Sequence, residues 1–291
     1  MDVVLPLVAA DLERYLRLQR PTFERYYVDL DRTTIVTRPA DLDDVRAATR
    51  HLDGVEVVDE RALVPELDLV RRLPGSSRRG WYLQQIIKLA AVHEAATDFV
   101  LVVDGDVFAA RPVTDADLVP DGCALRTKEP RERHPTWVAN AAKALGMAPL
   151  DYSASVTPSV LARDGVRALA AYAESDLPEL RRSLAATRRL PGLRSRLGSW
   201  RGRLLANLPW TEFQLYETFL VRSGRFHTLH VYSDDPVVYG NSVWFDGAFD
   251  DWDPTARDDE PVAYFSVVQS YVDVTVAAVE RKLRAAGMLP S

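Results

Sequence analysis

Asp98-Phe99-Val100-Leu101-Val102-Val103-Asp104-Gly105-Asp106-Val107-Phe108 is an apolar run that ends in two carboxylates one residue apart. An uninterrupted stretch such as Phe99 to Val103, bounded by polar groups, predicts a strand buried on both faces, as in the middle of a parallel sheet. Asp104 and Asp106 then stand where the strand ends. Residues i and i+2 of an extended chain point the same way, so both carboxylates are expected on one side. Gly105 between them is expected to leave the backbone open to a ligand. Two such charges about 6 Å apart, at an effective dielectric of about 20, repel by on the order of 3 kcal/mol. The pair therefore calls for a positive partner. A hard divalent cation carrying a bound diphosphate meets that need, since Mg²⁺ is usually held by one or two carboxylates plus substrate phosphates. The plain alternative is a strand-end turn with two solvated aspartates.

Upstream, strands are expected at residues 3–8, 33–37 and 55–58, with helices at 11–20 and 41–51 between them. Strand–helix alternation predicts a parallel sheet with helices on both faces, and such sheets bind ligands outside the carboxyl ends of their strands. Arg71, Arg72, Arg78 and Arg79 surround a Pro-Gly-Ser-Ser loop and have no acidic neighbours. A helix over 81–96 follows, with Leu83, Ile86, Ile87 and Ala90 on one face and Trp81, Gln84, Gln85 and Lys88 on the other. A large aromatic beside two amides and a lysine suits a ligand bearing hydroxyls and negative charge; the plain reading is solvent exposure.

Downstream, strands are expected at 123–127, 152–157 and 226–232, and helices at 134–145, 159–175 and 273–286. His134 and Trp137 open one of those helices and are ligand candidates. Between Arg181 and Arg203 stand eight arginines and no acid, interleaved with leucines and Trp200. This is a pair of basic amphipathic helices, either a surface for anionic lipid or an anionic acceptor, or a solvated hairpin or subunit contact. Trp210-Thr211-Glu212-Phe213-Gln214-Leu215-Tyr216 starts another helix with Thr211 as N-cap. Glu212 falls in its first turn, where the helix dipole favours a carboxylate. Alternation over 226–232 sets His227 and His230 on opposite faces, so at most one of them faces a site.

With 291 residues the chain can bury a substantial core without staples. Cys123 is the only cysteine, which excludes an intramolecular disulfide and a cysteine-cluster metal site. A net charge of −6 argues against a general nucleic-acid binder. No basic, apolar leader opens the sequence and no segment is apolar enough to span a bilayer, so a cytoplasmic protein is expected. The arginine-rich segment is the one feature that would bring it to the inner face of a membrane.

Three stretches carry a resemblance: Gly80-Trp81-Tyr82-Leu83-Gln84-Gln85-Ile86-Ile87-Lys88-Leu89, Val102-Val103-Asp104-Gly105-Asp106-Val107, and Trp210 to Tyr216. The chain resembles glycosyltransferases of the GT-A fold, in particular a poorly characterised bacterial glycosyltransferase-like family. The resemblance implies a single α/β, Rossmann-like domain with a mostly parallel central sheet flanked by helices. Residues 1–127 would form its nucleotide-sugar-binding half. Residues 128–291 would form its acceptor side, with a helical insertion at about 176–208. It implies a divalent metal, Mn²⁺ or Mg²⁺, on Asp104 and Asp106, and a nucleotide-diphosphate sugar as donor to a hydroxyl-bearing acceptor. Trp81, Gln84, Gln85, Lys88, Asp104 and Arg79 would contact the donor. His230, with His227 as the alternative, would be a third metal ligand, and Glu212 the general base of an inverting transfer. Two rivals use the same residues. Asp104-Gly-Asp106-Val107 also resembles the nucleophile motif of haloacid-dehalogenase phosphohydrolases, with Asp234-Asp235 as an acidic pair, although that motif normally ends the first strand of its domain. The other rival is a non-catalytic nucleotide- or carbohydrate-binding module.

Overall fold

The computed structural model describes residues 1–68, 79–154, 156–175, 177, 198–233, 241–254 and 263–289, Arg79 for its backbone alone. Four strands, β1 (Asp2–Pro6), β2 (Thr33–Thr37), β3 (Val55–Asp59) and β4 (Phe99–Val102), lie parallel in the order β3-β2-β1-β4. Parallel strands cannot be joined by hairpins and need crossovers. Arg20–Tyr26 and Leu42–Thr49 supply helices after β1 and β2, and Arg79–Glu94 supplies one before β4. Along β4, Val100 and Val102 join one core with Val4, Val36 and Leu161, whereas Leu101 and Val103 join a second with Val3, Leu5, Ile35 and Val160. That alternation is the two-residue period of an extended chain, and burial on both faces is why the run is apolar throughout. The expected α/β architecture with a mostly parallel central sheet is the one observed.

One strand of that sheet was expected to be helix. Residues 159–162 form β8 (Ser159–Ala162), antiparallel to β4, and the helix begins after it, at Arg163–Ser175. A buried run of four residues is too short for its period to separate strand from helix. Two smaller sheets adjoin. β5 (Val107–Ala109) pairs antiparallel with β10 (Phe265–Val267). β6 (Ala124–Pro130) lies between β7 (Tyr152–Ala154) and β9 (His230–Ser233).

The helix Glu212–Arg222 packs behind the site against Pro135–Leu145, Arg163–Ser175 and Arg79–Glu94. It is buried from Glu212 to Leu220. Tyr216 on this helix comes so near Gly165 that a Cβ there would meet the tyrosine oxygen at 2.5 Å. Only glycine permits that approach.

Of the arginine-rich stretch, residues 181–197 lie outside the described residues. At its end the helix Trp200–Ala206 buries Trp200, Leu204 and Leu205 in the main core. Arg201 pairs with Glu94 at 2.7 Å and Arg203 donates to the Ala173 carbonyl at 3.1 Å. These two arginines serve intramolecular contacts rather than a free basic surface. Among the described residues, no helix is long and apolar enough to cross a membrane.

Candidate active site

Where β4 ends, a cleft of about 650 Å³ opens, with Asp104 in its wall. The helix Arg79–Glu94 turns Trp81, Gln85 and Lys88 towards it, residues i, i+4 and i+7 on one helical face. Gln84 does not line the cleft, so its expected place among the donor contacts is corrected; it sits half-buried on the flank of that face. Arg79 opens this helix instead of belonging to the preceding loop; its side chain and residues 69–78 lie outside the described residues.

Lys88 is the centre of the site. Its ammonium, 2 % exposed, lies 2.7 Å from Asp104 Oδ1 and 2.7 Å from Glu212 Oε1. Burial alone would lower its pKa; the two carboxylates outweigh burial and raise it, so it stays charged. Glu212 is 2 % exposed, and burial raises its pKa against the pull of Lys88. Thr211 occupies the N-cap of the Glu212–Arg222 helix without a side-chain capping bond. Gln85 Oε1 instead accepts from the Glu212 amide at 3.3 Å. The Glu212 carboxylate meanwhile accepts from Lys88.

The two aspartates differ more than an extended chain predicts. Val107 donates to the Asp104 carbonyl at 3.3 Å, so the chain turns here instead of continuing as an extended strand. Asp104 lines the cleft with its side chain one-third exposed (33 %), its amide held by Thr157 Oγ1 at 3.1 Å and its carbonyl by Gln19 Nε2 at 2.7 Å. Asp106 is buried; its Oδ2 accepts from the Ser270 amide at 3.1 Å and its Oδ1 has no hydrogen-bond partner among the described residues. Burial, and then the charge of Asp104, push the Asp106 carboxyl up to about 7. Gly105 is partly exposed, and a Cβ there would make ordinary contact with Leu7 at 3.5 Å and Asp11 at 3.8 Å.

His230 is corrected as a metal ligand. It is 1 % exposed, with Nε2 2.7 Å from the Tyr216 hydroxyl and Nδ1 3.3 Å from the Ala124 carbonyl. Both nitrogens are in use in a neutral ring, which leaves no lone pair for a cation. His227 is exposed on the 3-10 turn Phe226–Thr228, where a strand was expected. Among the described residues no three His, Cys, Asp or Glu side chains form a group that could hold a metal. Burial, reinforced by Arg126, pushes His230 down to about 3. An unfolded histidine titrates near 6.5, so the unfolded chain binds the extra proton first and stability falls as pH drops below about 6.5. At about 1.4 kcal/mol per pH unit, the loss expected by pH 5 is about 2 kcal/mol. His230→Gln, followed by urea unfolding at pH 7 and pH 5, should shrink that difference. An equal loss in both proteins would place the acid sensitivity elsewhere.

His134 and Trp137 both reach the cleft, stacked at 3.9 Å, and Trp137 lies 5.8 Å from Trp81. Several lining residues escaped the sequence reading: Glu129 on β6, Thr157, and the facing wall of Trp244, Phe245, Gln269 and Tyr271. Phe245, at 74 %, and Tyr271, at 70 %, are exposed aromatics on that part of the lining.

Comparison with curated proteins returns no match. Among solved structures, galactosyltransferase LgtC in complex with donor and acceptor sugar analogues is 16 % identical over 100 % of this chain and 97 % of its own, with a TM-score of 0.50. An active-site mutant of LgtC is 14 % identical over the same shares, with a TM-score of 0.52. The apo form of mouse xyloside xylosyltransferase 1 is 13 % identical over 94 % of this chain and 100 % of its own, with a TM-score of 0.49. The likeness to LgtC shows a shared GT-A fold. Residues 1–288 match the model of the family of unknown function DUF6492, and the chain belongs to that family.

Proposed function

We propose that the protein is a metal-dependent glycosyltransferase that moves a sugar from a nucleotide-diphosphate donor to a hydroxyl acceptor. The observation that carries this reading is the charge arrangement at the end of β4: one buried lysine bridging Asp104 and Glu212, with Asp106 just beneath holding an unpartnered oxygen. The fold shared with a galactosyltransferase supports it.

A divalent cation fits these residues. A buried carboxylate oxygen without a partner, on a group whose charged form is disfavoured, is relieved by a bound cation. The donors are hard carboxylate oxygens, suited to Mg²⁺ or Mn²⁺, with waters and substrate phosphates completing the shell. Asp104 and Asp106 would hold the ion, which when bound neutralises the charge that develops on the leaving diphosphate. Lys88 adds positive charge at the same end of the cleft. The acceptor hydroxyl attacks the anomeric carbon, the bond from that carbon to the diphosphate oxygen breaks, and Glu212 takes the hydroxyl proton. A single displacement of this kind inverts configuration, and it requires the Glu212 carboxylate to leave Lys88 and approach the sugar from the side opposite the diphosphate. The haloacid-dehalogenase motif normally ends the first strand of its domain, and here three parallel strands precede β4; its acidic pair, Asp234-Asp235, lies outside the described residues.

A thermal-shift panel of nucleoside diphosphates with and without Mn²⁺ tests the proposal. The expected result is stabilisation that depends on the metal. It should weaken more than about tenfold in apparent affinity in both Asp104→Asn and Asp106→Asn, since even outer-shell changes cost a metal site that much. Unchanged metal-dependent affinity in both variants would sink it. Stabilisation by vanadate would instead favour a phosphohydrolase, and nucleotide binding without turnover a binding module.

A further inference from the structure

Glu129 has no role in the chemistry above, yet its placement is costly. Its side chain is 5 % exposed and lines the cleft, and among the described residues neither carboxylate oxygen has a hydrogen-bond partner. Arg133 stays 3.5 Å and His134 3.7 Å from Oε2, beyond good hydrogen-bond range. Burial pushes its carboxyl up against the opposing charge of Arg133. Beside it, Trp81 is 40 % exposed and inclined 31° to Trp137 at 5.8 Å, with His134 stacked on the other tryptophan. A buried acceptor without donors and a tryptophan turned to water each disfavour the empty protein, and they share one cleft.

We infer that Glu129, Trp81 and Trp137 form the seat of the acceptor, which moves Trp81 from the donor contacts expected of it, and that the acceptor's bound portion is a neutral, hydroxylated sugar ring. This rests on the glycosyltransferase reading. An ionised carboxylate only accepts, so its ligand must bring donors. Aromatic faces take the apolar face of a ring while the ring's edge hydroxyls point to the carboxylate. An ammonium would also satisfy Glu129 and the tryptophans, but Arg133 already brings positive charge beside it. A carboxylated ring would meet Glu129 with like charge. Trp81 and Lys88 stand seven residues apart on one helix, about 10 Å of rise. That rise separates the Trp81 end of the helix face from the Lys88 end, where Glu212 and Asp104 stand.

Intrinsic tryptophan fluorescence reads the seat directly, since two tryptophans line it. The probes are the methyl pyranosides of glucose, galactose, mannose and xylose, with methyl glucuronide and glucosamine as charged controls. At least one neutral pyranoside should quench saturably. Glu129→Gln and Trp137→Ala should each weaken it about tenfold or more, and neither should change Mn²⁺-dependent nucleoside-diphosphate binding. Glu129→Gln should also raise Tm, because it removes a buried charge that Arg133, 3.5 Å away, pairs only loosely. Three results would overturn the inference: no neutral pyranoside binding, a charged control binding more tightly than all four, or Glu129→Gln binding as the wild type with a lowered Tm. Loss of nucleotide binding with pyranoside binding intact would instead count against the glycosyltransferase reading while leaving the seat in place.

Discussion

Lys88→Met is expected to destabilise the protein by about 3–5 kcal/mol, the cost of leaving a buried charge without its partner. Methionine keeps the length and the packing of the side chain and removes only the ammonium. Glu212, 2 % exposed, then has no counterion, and Asp104 loses the group that draws it to the cleft wall. The deficit should depend on pH with a definite sign. Glu212 already has its pKa raised by burial, and losing Lys88 raises it further. A carboxyl raised above its unfolded value favours the folded state below that value and disfavours it as pH rises. Urea unfolding should therefore show a smaller deficit at pH 5 than at pH 8. Adding Glu212→Gln to Lys88→Met should recover part of the loss, a coupling read by the double-mutant cycle. A Lys88→Met protein within about 1 kcal/mol of the wild type, below what any buried pair is expected to cost, would contradict the picture of a charged clamp.

Glu212→Gln should act on rate instead. Loss of a general base lowers turnover by about 10²–10⁴. Lys88 keeps Asp104 in this variant, so metal-dependent nucleotide binding should remain close to normal. Transfer, or donor hydrolysis with water as acceptor, measured across pH should also lose the acidic limb that belongs to this carboxyl. If turnover stays near normal while the protein melts earlier, Glu212 is only the counterion of Lys88, and the inverting mechanism loses its base.

The elements that local sequence describes well are those whose hydrophobic period is complete within them. Thr33–Thr37 appears with its expected bounds, and the helix expected at 81–96 spans Arg79–Glu94. β5 and β8 are three and four buried residues, too few to display a period, and both exist because a distant strand pairs with them. Within the site, Asp104, Lys88 and Glu212 each stood in a recognisable stretch. That one ammonium joins the two carboxylates depends on how the Glu212–Arg222 helix docks, which no local pattern encodes. The separation of Gln84 from Gln85 turns on the phase of one helix against its neighbours. Glu129 precedes a proline in an ordinary strand, and only the pairing of β6 with β7 and the neighbouring His134 and Trp137 make it part of a cleft.

The turn after β4 is tied to a part of the chain made long after it. Asp106 Oδ2 is held by the Ser270 amide, 164 residues away, and its carbonyl accepts from Val268 at 3.1 Å. Arg14 donates to the Val268 carbonyl at 2.8 Å across 254 residues. Contacts of such sequence separation form slowly, because loop closure must be met before they yield anything. During synthesis the central sheet can assemble from its first strands while the aspartate turn still lacks its backing. A ribosome-bound chain halted before Val268 would therefore carry Asp104, Lys88 and Glu212 yet leave Asp106 loose. Competence for the nucleotide should arrive late, as the closing step of maturation, and ligand present during refolding should speed only that last phase.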